Sequence, residues 1–304
     1  MSNFARPMTL KELSIEYAKK QPHQVENLTE EAPILDGIKF EAASHGLWNV
    51  YEDVTSIEGP GFVDMNAKLP KMSFDSDLKK MDLSIMGGEM FCPEDKAQMV
   101  GGKEKYFNKR TPAFLRAAGQ TTEKKIIYDN FIPYAKKNGN IIDGGATGAG
   151  YSIVCVRYVP GEVCGLYSPE GFKQGAMLDV QPINGGNLYH NENGVLGYGV
   201  RLKGYFGVQL ANAKAVSAIV NIDKEHIPTE SQMDDLLIAA RATAGSTFLY
   251  MHPKVLSMLN KYKGDILRTV NGESEINRTF DQWNKIKIVT SYNFLDGRET
   301  KTEL

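Results

Sequence analysis

The residues best placed to do chemistry form one glycine-dense stretch, Asp143-Gly144-Gly145-Ala146-Thr147-Gly148-Ala149-Gly150, directly after the apolar pair Ile141-Ile142. Such a loop can cradle a dinucleotide phosphate when a helix follows it, because free N–H groups and the helix dipole then face the anion. Here the following residues, Tyr151 to Tyr158, are β-formers that run into Pro160, and no Lys-Ser/Thr pair completes a P-loop. The stretch reads as a flexible connection between a helix and a sheet. A nucleotide-binding α/β enzyme is the competing reading.

The five histidines, His23, His45, His190, His226 and His252, lie far apart, and none has a His or Cys at metal-ligand spacing. His252 falls at a helix start before Pro253. There is no Gly-x-Ser-x-Gly nucleophile elbow, and no carboxylate is distinguished by its neighbours. Cys92, Cys155 and Cys164 are too few and too scattered for a disulfide framework. Cys155 and Cys164 either meet on neighbouring strands or, more plainly, are small buried hydrophobes. Trp48 and Trp283 are single aromatics in apolar company, so packing is expected of both. No catalytic, cofactor-binding or metal-binding residue is nominated, and no cofactor. The expectation is a protein that is not an enzyme.

Composition bounds the alternatives. A chain of 304 residues with 42% hydrophobic content has ample material for one large or two modest domains. Its 24% charged residues are ordinary for a globular protein. The formal net charge of −2 excludes a chain that binds nucleic acid by bulk positive charge, so any DNA contact has to be local. The basic-aromatic run Lys105 to Arg110 lacks the fold context of a recognition module. Met1 to Lys11 shows no signal-peptide pattern, and no apolar run approaches the ~20 residues that cross a bilayer. A soluble protein made in a cytoplasm, with no membrane partner, is expected.

The elements that would position these residues follow in order. Residues 1–45 read as an arm. Thr9 and Glu12 form a capping box for a short helix through Leu10, Leu13 and Tyr17, ended by Pro22. Val25–Phe40 carries too little apolar surface to fold alone, so the arm is expected to dock on something else. Residues 46–90 read as an extended hairpin: strand Leu47–Val54, the hard turn Gly59-Pro60-Gly61, return strand Phe62–Leu69, then period-two alternation at Met81, Leu83 and Ile85. Gly46, Gly59, Gly61, Gly87 and Gly88 are its candidate hinges.

Residues 103–137 read as helix, with Thr111 as cap and Pro112 in the first turn; from there about 27 residues would span ~40 Å. Gly119 should weaken its middle, and Pro133 should kink or end it. Its exposed side carries Lys105, Lys109, Arg110, Arg116, Lys124, Lys125, Lys136 and Lys137. That is either a solvated face or a surface toward DNA phosphates.

Residues 151–222 are strand-rich, with Asn193-Gly194 as a hairpin turn. Tyr198, Val200, Leu202, Phe206, Val208 and Leu210 all fall on even positions, which predicts one strand of about 13 residues against the usual ~5–6. Ala215–Ile222 is another strand. Residues 223–295 read as a compact α/β piece. Thr229 and Gln232 cap a helix with the stripe Met233, Leu236, Leu237, Ala240 and Ala244, stopped by Gly245. Phe248–Met251 is a strand, Pro253 opens a helix ended by Gly264, and Ile286, Ile288 and Thr290 form a late strand. The tail, Arg298–Leu304, reads as polar and loose.

This layout resembles the Hong Kong 97-type capsid fold, and at residue level the major capsid proteins of epsilon-15-like short-tailed phages. The likeness is carried by collinear segments. They are Leu28 with Ala32-Pro33-Ile34-Leu35; Gly165-Leu166-Tyr167-Ser168-Pro169-Glu170-Gly171-Phe172 with Gly175 and Asp179; Gly197-Tyr198-Gly199-Val200; Ile219-Val220-Asn221-Ile222-Asp223; and the helix-strand-helix from Thr229 to Tyr262. It covers most of the chain from Val25 onward.

The resemblance implies an α+β Hong Kong 97-like fold: N-terminal arm (1–45), extended loop hairpin (46–90), peripheral domain with spine helix and long strands (91–222), and axial domain with C-terminal tail (223–304). It further implies a virion shell of hexamers and pentamers, an icosahedral head around double-stranded DNA, built in the host bacterial cytoplasm. The implied partners are copies of this chain, a portal and non-specifically contacted DNA, with a decoration protein left open. No long charged helical leader precedes Val25, so a separate scaffolding protein is expected rather than a fused one. An encapsulin-type compartment shell shares the architecture and is the first alternative. A tail-tube protein would read as nearly all β.

An arm and a hairpin with little surface of their own to bury make sense where neighbouring subunits cover them. Deleting residues 55–75 is therefore expected to leave a folded subunit that cannot assemble. Circular dichroism and electron microscopy of that deletion check it, and normal shells would refute it.

Overall fold

The computed structural model describes residues 8–17, 22–65, 67–168, 178–260 and 281–303. Its centre is one long helix. After α1 (Leu10–Tyr17), α2 (Pro22–Thr29), α3 (Pro33–Gly37), β1 (Phe40–Ala42), β2 (Trp48–Glu58), β3 (Ser73–Asp82), β4 (Ser84–Pro93) and α4 (Glu94–Val100), the chain turns through Gly101 and Gly102 at φ 89° and 116°. Only glycine takes that double turn cheaply. It launches α5 (Lys103–Lys125), which passes through a π turn (Ile126–Phe131) into α6 (Ile132–Lys137). The whole run spans roughly 50 Å at ~1.5 Å per residue.

The expected start at Pro112 and the expected end at Pro133 are both corrected. Pro112 lies inside α5 rather than at its start, and Thr111 donates its hydroxyl to Phe107 O at 2.9 Å instead of capping. Pro133 does not end the helix. The π turn ahead of it makes Ile132 N–H donate to Ile127 O, five residues back, so the ladder has already shifted where proline lacks a donor.

Sequence alternation builds the first sheet. Its order is β1–β7–β10–β4, with β7 at Val163–Tyr167 and β10 at Leu196–Leu210; β8 (Leu178–Pro182) and β9 (Tyr189–His190) also pair with β10. The long strand exists as expected and is 15 residues long. Its even positions face the long helix: Leu202, Phe206 and Val208 enter the main core, while Tyr198 and Val200 pack beside Phe107. The turn at Asn193-Gly194 also holds, with Gly194 at φ 74° and Asn191 Oδ1 accepting from Asn193 N–H and Val195 N–H.

The second sheet runs β13–β14–β12–β6–β11–β5 and is covered on both faces. Its strands are β5 (Ile141–Asp143), β6 (Tyr151–Arg157), β11 (Val216–Ile222), β12 (Thr247–Met251), β13 (Gln282–Trp283) and β14 (Ile286–Thr290). Val154 and Val156 of β6 join the core around the long helix. Ile153 and Cys155 point the other way, against α7 (Glu230–Ala239) and α8 (Pro253–Leu259). Burial on both sides explains why β6 and β11 read as continuous apolar runs. Segment 223–295 thus shares its sheet with β5, β6 and β11 from upstream. The Thr229–Gln232 capping box is present, but α7 ends at Ala239, and Ala244 is exposed in the turn that follows. The expected stop at Gly264 lies outside the described residues.

The arm departs most from expectation. Leu10, Leu13, Val25, Leu28, Ile34, Leu35, Ile38 and Phe40 are each at most 2% exposed within their own subunit. The Thr9–Glu12 capping box forms, and Pro22 opens a second helix, α2. Val25 and Leu28 share one face of α2, and that face, with Ala32 just beyond it, lies on α5. Arg116 pairs with Glu30 at 2.7 Å, and β1 adds to β7 in parallel. Gly119 is the point of closest approach, since a Cβ there would sit 2.0 Å from Leu28 O. Its role is therefore to admit the arm, not to weaken the helix.

Deep in this junction Glu123 is fully buried on α5. One carboxylate oxygen accepts Ile34 N–H at 2.9 Å and Leu35 N–H at 3.4 Å; the other accepts the Ser291 hydroxyl and Asn293 Nδ2–H. Burial pushes its carboxyl above the usual carboxylate range, and the four hydrogen bonds pull the other way. Gly119→Ala is expected to cost about 1–3 kcal/mol or more, because backbone cannot yield to the added methyl as a side chain would. Urea unfolding of the subunit measures this; an unchanged midpoint would mean that the arm does not pack as described.

Candidate assembly surfaces

The chemistry nominated by the glycine stretch is spent internally. The chain enters β6 directly after Gly150, so no helix follows the loop as a dinucleotide phosphate site would need. Gly144 N–H donates to Val220 O, Ala146 N–H to Asn221 O and Gly150 N–H to Glu299 O, at 2.7 to 3.1 Å. Asp143 accepts from Asn221 Nδ2–H and Gly145 N–H, which hold its carboxyl below the ordinary value. A Cβ at Gly144 or Gly150 would meet a β11 carbonyl at 2.6 Å. The glycines are there for close backbone packing.

The other candidates are structural as well. His252 caps α8, its Nδ1 accepting Lys254 N–H at 3.1 Å. His45 stacks on Trp48 with ring centroids 3.7 Å apart, His226 bonds Asp223, and the His190 ring bonds Gly194 O. The side chain of His23 lies outside the described residues. Among the described residues no group of His, Cys, Asp and Glu can hold a metal ion. Cys92, Cys155 and Cys164 are buried free thiols, with Cys155 and Cys164 in different sheets. Trp283 is core, while half-buried Trp48 lies at the base of the hairpin under the Lys80 ammonium. No helix of the described residues is long and apolar enough to cross a membrane.

What the fold leaves open is surface. Among the described residues strands β2 and β3 form a sheet only with each other, from Trp48↔Asp82 to Glu58↔Ser73. The return strand is therefore Ser73–Asp82. Phe62–Leu69, expected as that strand, belongs to the connection at the tip, where Gly59-Pro60-Gly61 and Pro70 deny regular pairing. At ~3.3 Å per residue β2 alone is roughly 36 Å long. Its tip exposes Phe62 (110%), Met65 (94%), Leu69 and Met72, followed by Phe74 and Leu78 on β3. A lone two-stranded hairpin is marginal in water, and an apolar patch of this size marks a contact.

The hairpin is fixed at its base. Asn49 Nδ2–H donates to Gln209 Oε1 at the end of β10 (2.6 Å), and Asn49 Oδ1 accepts Ser44 N–H. Leu83, between β3 and β4, is buried with Ala43, Cys164 and Leu166. Gly87 and Gly88 are not hinges: they lie within β4, opposite Lys203 and Leu202. None of the five hinge candidates takes a positive φ.

A second surface is the outer side of the long helix. Lys105, Lys109, Lys124, Lys125, Lys136 and Lys137 are exposed there. Arg110 instead stacks on Tyr106 at 3.7 Å, and Arg116 is taken by Glu30. A third feature is a groove of about 580 Å³ between α5 and the sheet, lined by Lys103, Phe107, Leu115, Val180, Tyr198 and Val200.

Known proteins share this arrangement. The subunit of the bacteriophage Epsilon15 capsid superposes with a TM-score of 0.58 at 16% identity, over 86% of this chain and 87% of that one. The bacteriophage JBD30 capsid gives 0.53 at 10% identity, over 84% and 88%. The JBD30 capsid decorated with minor capsid protein trimers gives 0.50 at 11%, over 83% and 87%. No curated protein matches. The family model of the major capsid protein GP7 matches residues 18–295. A Hong Kong 97-like fold with a long apolar hairpin that pairs with nothing else among the described residues suits a shell subunit, and by that family match this chain belongs to the GP7 family of major capsid proteins of the phage virion shell.

Proposed function

We propose that this capsid protein forms hexamers and pentamers of an icosahedral head around double-stranded DNA, and that the hairpin of each subunit lies across its neighbour. The observation that carries the reading is the tip: Phe62 and Met65 are almost wholly exposed on an element that pairs with nothing else in the described subunit. Obligate interfaces bury more than ~2,000 Å² and are apolar, which a covered hairpin supplies. The proposed division is arm 1–45, extended loop 46–90, peripheral domain 91–222 and axial domain with tail 223–304. Because the arm is packed inside its own subunit, the hairpin is the chief element reserved for neighbours.

The exposed lysines of the long helix are the proposed DNA-facing charge. The contact is local and non-specific, which suits a chain of net charge −2. A separate scaffolding protein and a portal are proposed partners in assembly, which takes place in the host bacterial cytoplasm. Minor capsid protein trimers decorate the JBD30 capsid, and a comparable decoration protein is proposed as a partner here.

Two measurements test the reading. Negative-stain electron microscopy of the purified protein, alone and with its candidate scaffold, is expected to show closed shells or curved sheets; a monomer under both conditions would overturn it. The double substitution Phe62→Ser and Met65→Ser is expected to leave subunit stability within about 0.5 kcal/mol, as surface changes do. Shell yield should nevertheless fall severalfold by light scattering.

A further inference from the structure

We propose that residues 298–303 form a strap over the π turn of the long helix, closed at low pH and released as pH rises, with the Glu299 carboxyl as its trigger. The tail was expected to be loose, yet it is docked by a continuous series of contacts. Glu299 pairs with Gly150 in an antiparallel bridge, its N–H donating to Gly150 O at 3.3 Å. Asn221 accepts Thr302 N–H at 2.9 Å and donates back to Thr302 O at 3.1 Å. Lys136 Nζ–H donates to Glu303 O. The strap thereby joins β6, β11 and α6.

Its one buried ionisable side chain is Glu299, 9% exposed. Oε1 accepts the Tyr128 hydroxyl at 2.6 Å and the Ser152 hydroxyl at 3.1 Å. Tyr128 lies within the π turn, and its hydroxyl oxygen also accepts Leu295 N–H at 2.8 Å. The same oxygen therefore holds the strap and the stretch that leads into it. A π turn in a long helix is a place where the helix can change its winding, so whatever grips Tyr128 acts on that place.

The groups facing Glu299 are hydroxyls, a backbone N–H and acids. From the helix comes Tyr128; from β6 come Ser152 through side chain and backbone, and Tyr151, which donates to Asp296. Nearby cations act elsewhere: Lys254 on Asp296 at 2.5 Å, Lys301 on Asp143, Lys136 on a carbonyl. A carboxylate closed off from water with no cation against it is disfavoured. Burial accordingly pushes this carboxyl from 4.5 up to about 7. An acid whose value is raised when docked favours docking while protonated. The strap's hold is full below about 4.5 and is lost as pH rises through about 7. Asp143 and Asp296 are held below their ordinary value and stay ionised throughout that range; burial keeps His252 below its own.

The test is hydrogen exchange of the full chain, followed in peptides spanning 296–304 and corrected for the intrinsic rate at each pH. Protection of the Glu299 and Thr302 amides is expected to fall about 30-fold between about pH 5.5 and about pH 8.5, as the shift requires. Peptides from β12, which pairs with β6 and β14 rather than with the strap, should be unchanged. Glu299→Gln keeps both accepted hydrogen bonds without a charge, so it should hold protection at the higher pH and remove the dependence. Protection in the wild-type chain that does not fall with pH would overturn the proposal, and needs no variant to fold. An equal fall in Glu299→Gln would also overturn it, by placing the trigger on another group.

Discussion

One buried carboxylate sets the frame of this subunit. Glu123 sits on the long helix with no exposure to solvent and meets two amides of α3, the Ser291 hydroxyl and the Asn293 amide. A buried acid without partners is very costly, so the two segments that satisfy it must arrive together on the helix that carries it. Those segments lie 89, 88, 168 and 170 residues from it in the chain. The arm, the helix and the end of the second sheet thus become one body, and the hairpin is the large element left outside it. Specificity is the larger gain here: a hydrophobic junction would tolerate sliding of α2 and α3 along α5, whereas four directed hydrogen bonds admit one register.

Elements that rest on local periodicity were legible in the sequence. Strand β10 shows its alternation over its whole length because one face is buried by one helix. Both capping boxes and the His252 cap follow from spacing alone. Errors arose where a distant partner decides. Pro112 and Pro133 look like helix boundaries, but tertiary packing around Leu115, Ile127 and Phe131 carries the helix through both. Gly119 looks like a weak point until Leu28 O is placed beside it. The tail looks loose because its anchors, Tyr128 and Asn221, are 171 and 81 residues away. For the assembly surface, turn residues located the hairpin. They did not set its register, because Phe62–Leu69 is apolar without being paired; that apolarity serves exposure rather than a strand.

The absence of nominated chemistry also acquires a physical reason. Glycine density at 144–150 is what a phosphate loop and a crossover pressed onto a strand have in common, since both need backbone at close range. The two are told apart by what the N–H groups meet. Here the N–H groups of Gly144, Ala146 and Gly150 meet the carbonyls of Val220, Asn221 and Glu299, and that of Gly145 meets Asp143, rather than converging on an anion. A glycine-rich sequence feature is therefore a statement about distance before it is one about ligands.

The same reasoning explains why the arm and the hairpin, both thin segments at the start of the chain, have opposite fates. Residues 25–40 place an apolar side chain every three or four positions, a pattern that one helix face can bury on another. They therefore fold inward onto α5. Between Phe62 and Met72 the apolar residues are interrupted by Pro70 and by Asp64, Lys68 and Lys71, which neither helix nor strand can sort to one side. Such a segment finds no inward solution among the described residues of its own subunit. Its apolar side chains lose contact with water only when a surface of matching shape comes from another molecule. In the proposed shell, assembly completes burial that folding leaves unfinished, and many identical copies provide that surface for every hairpin at once.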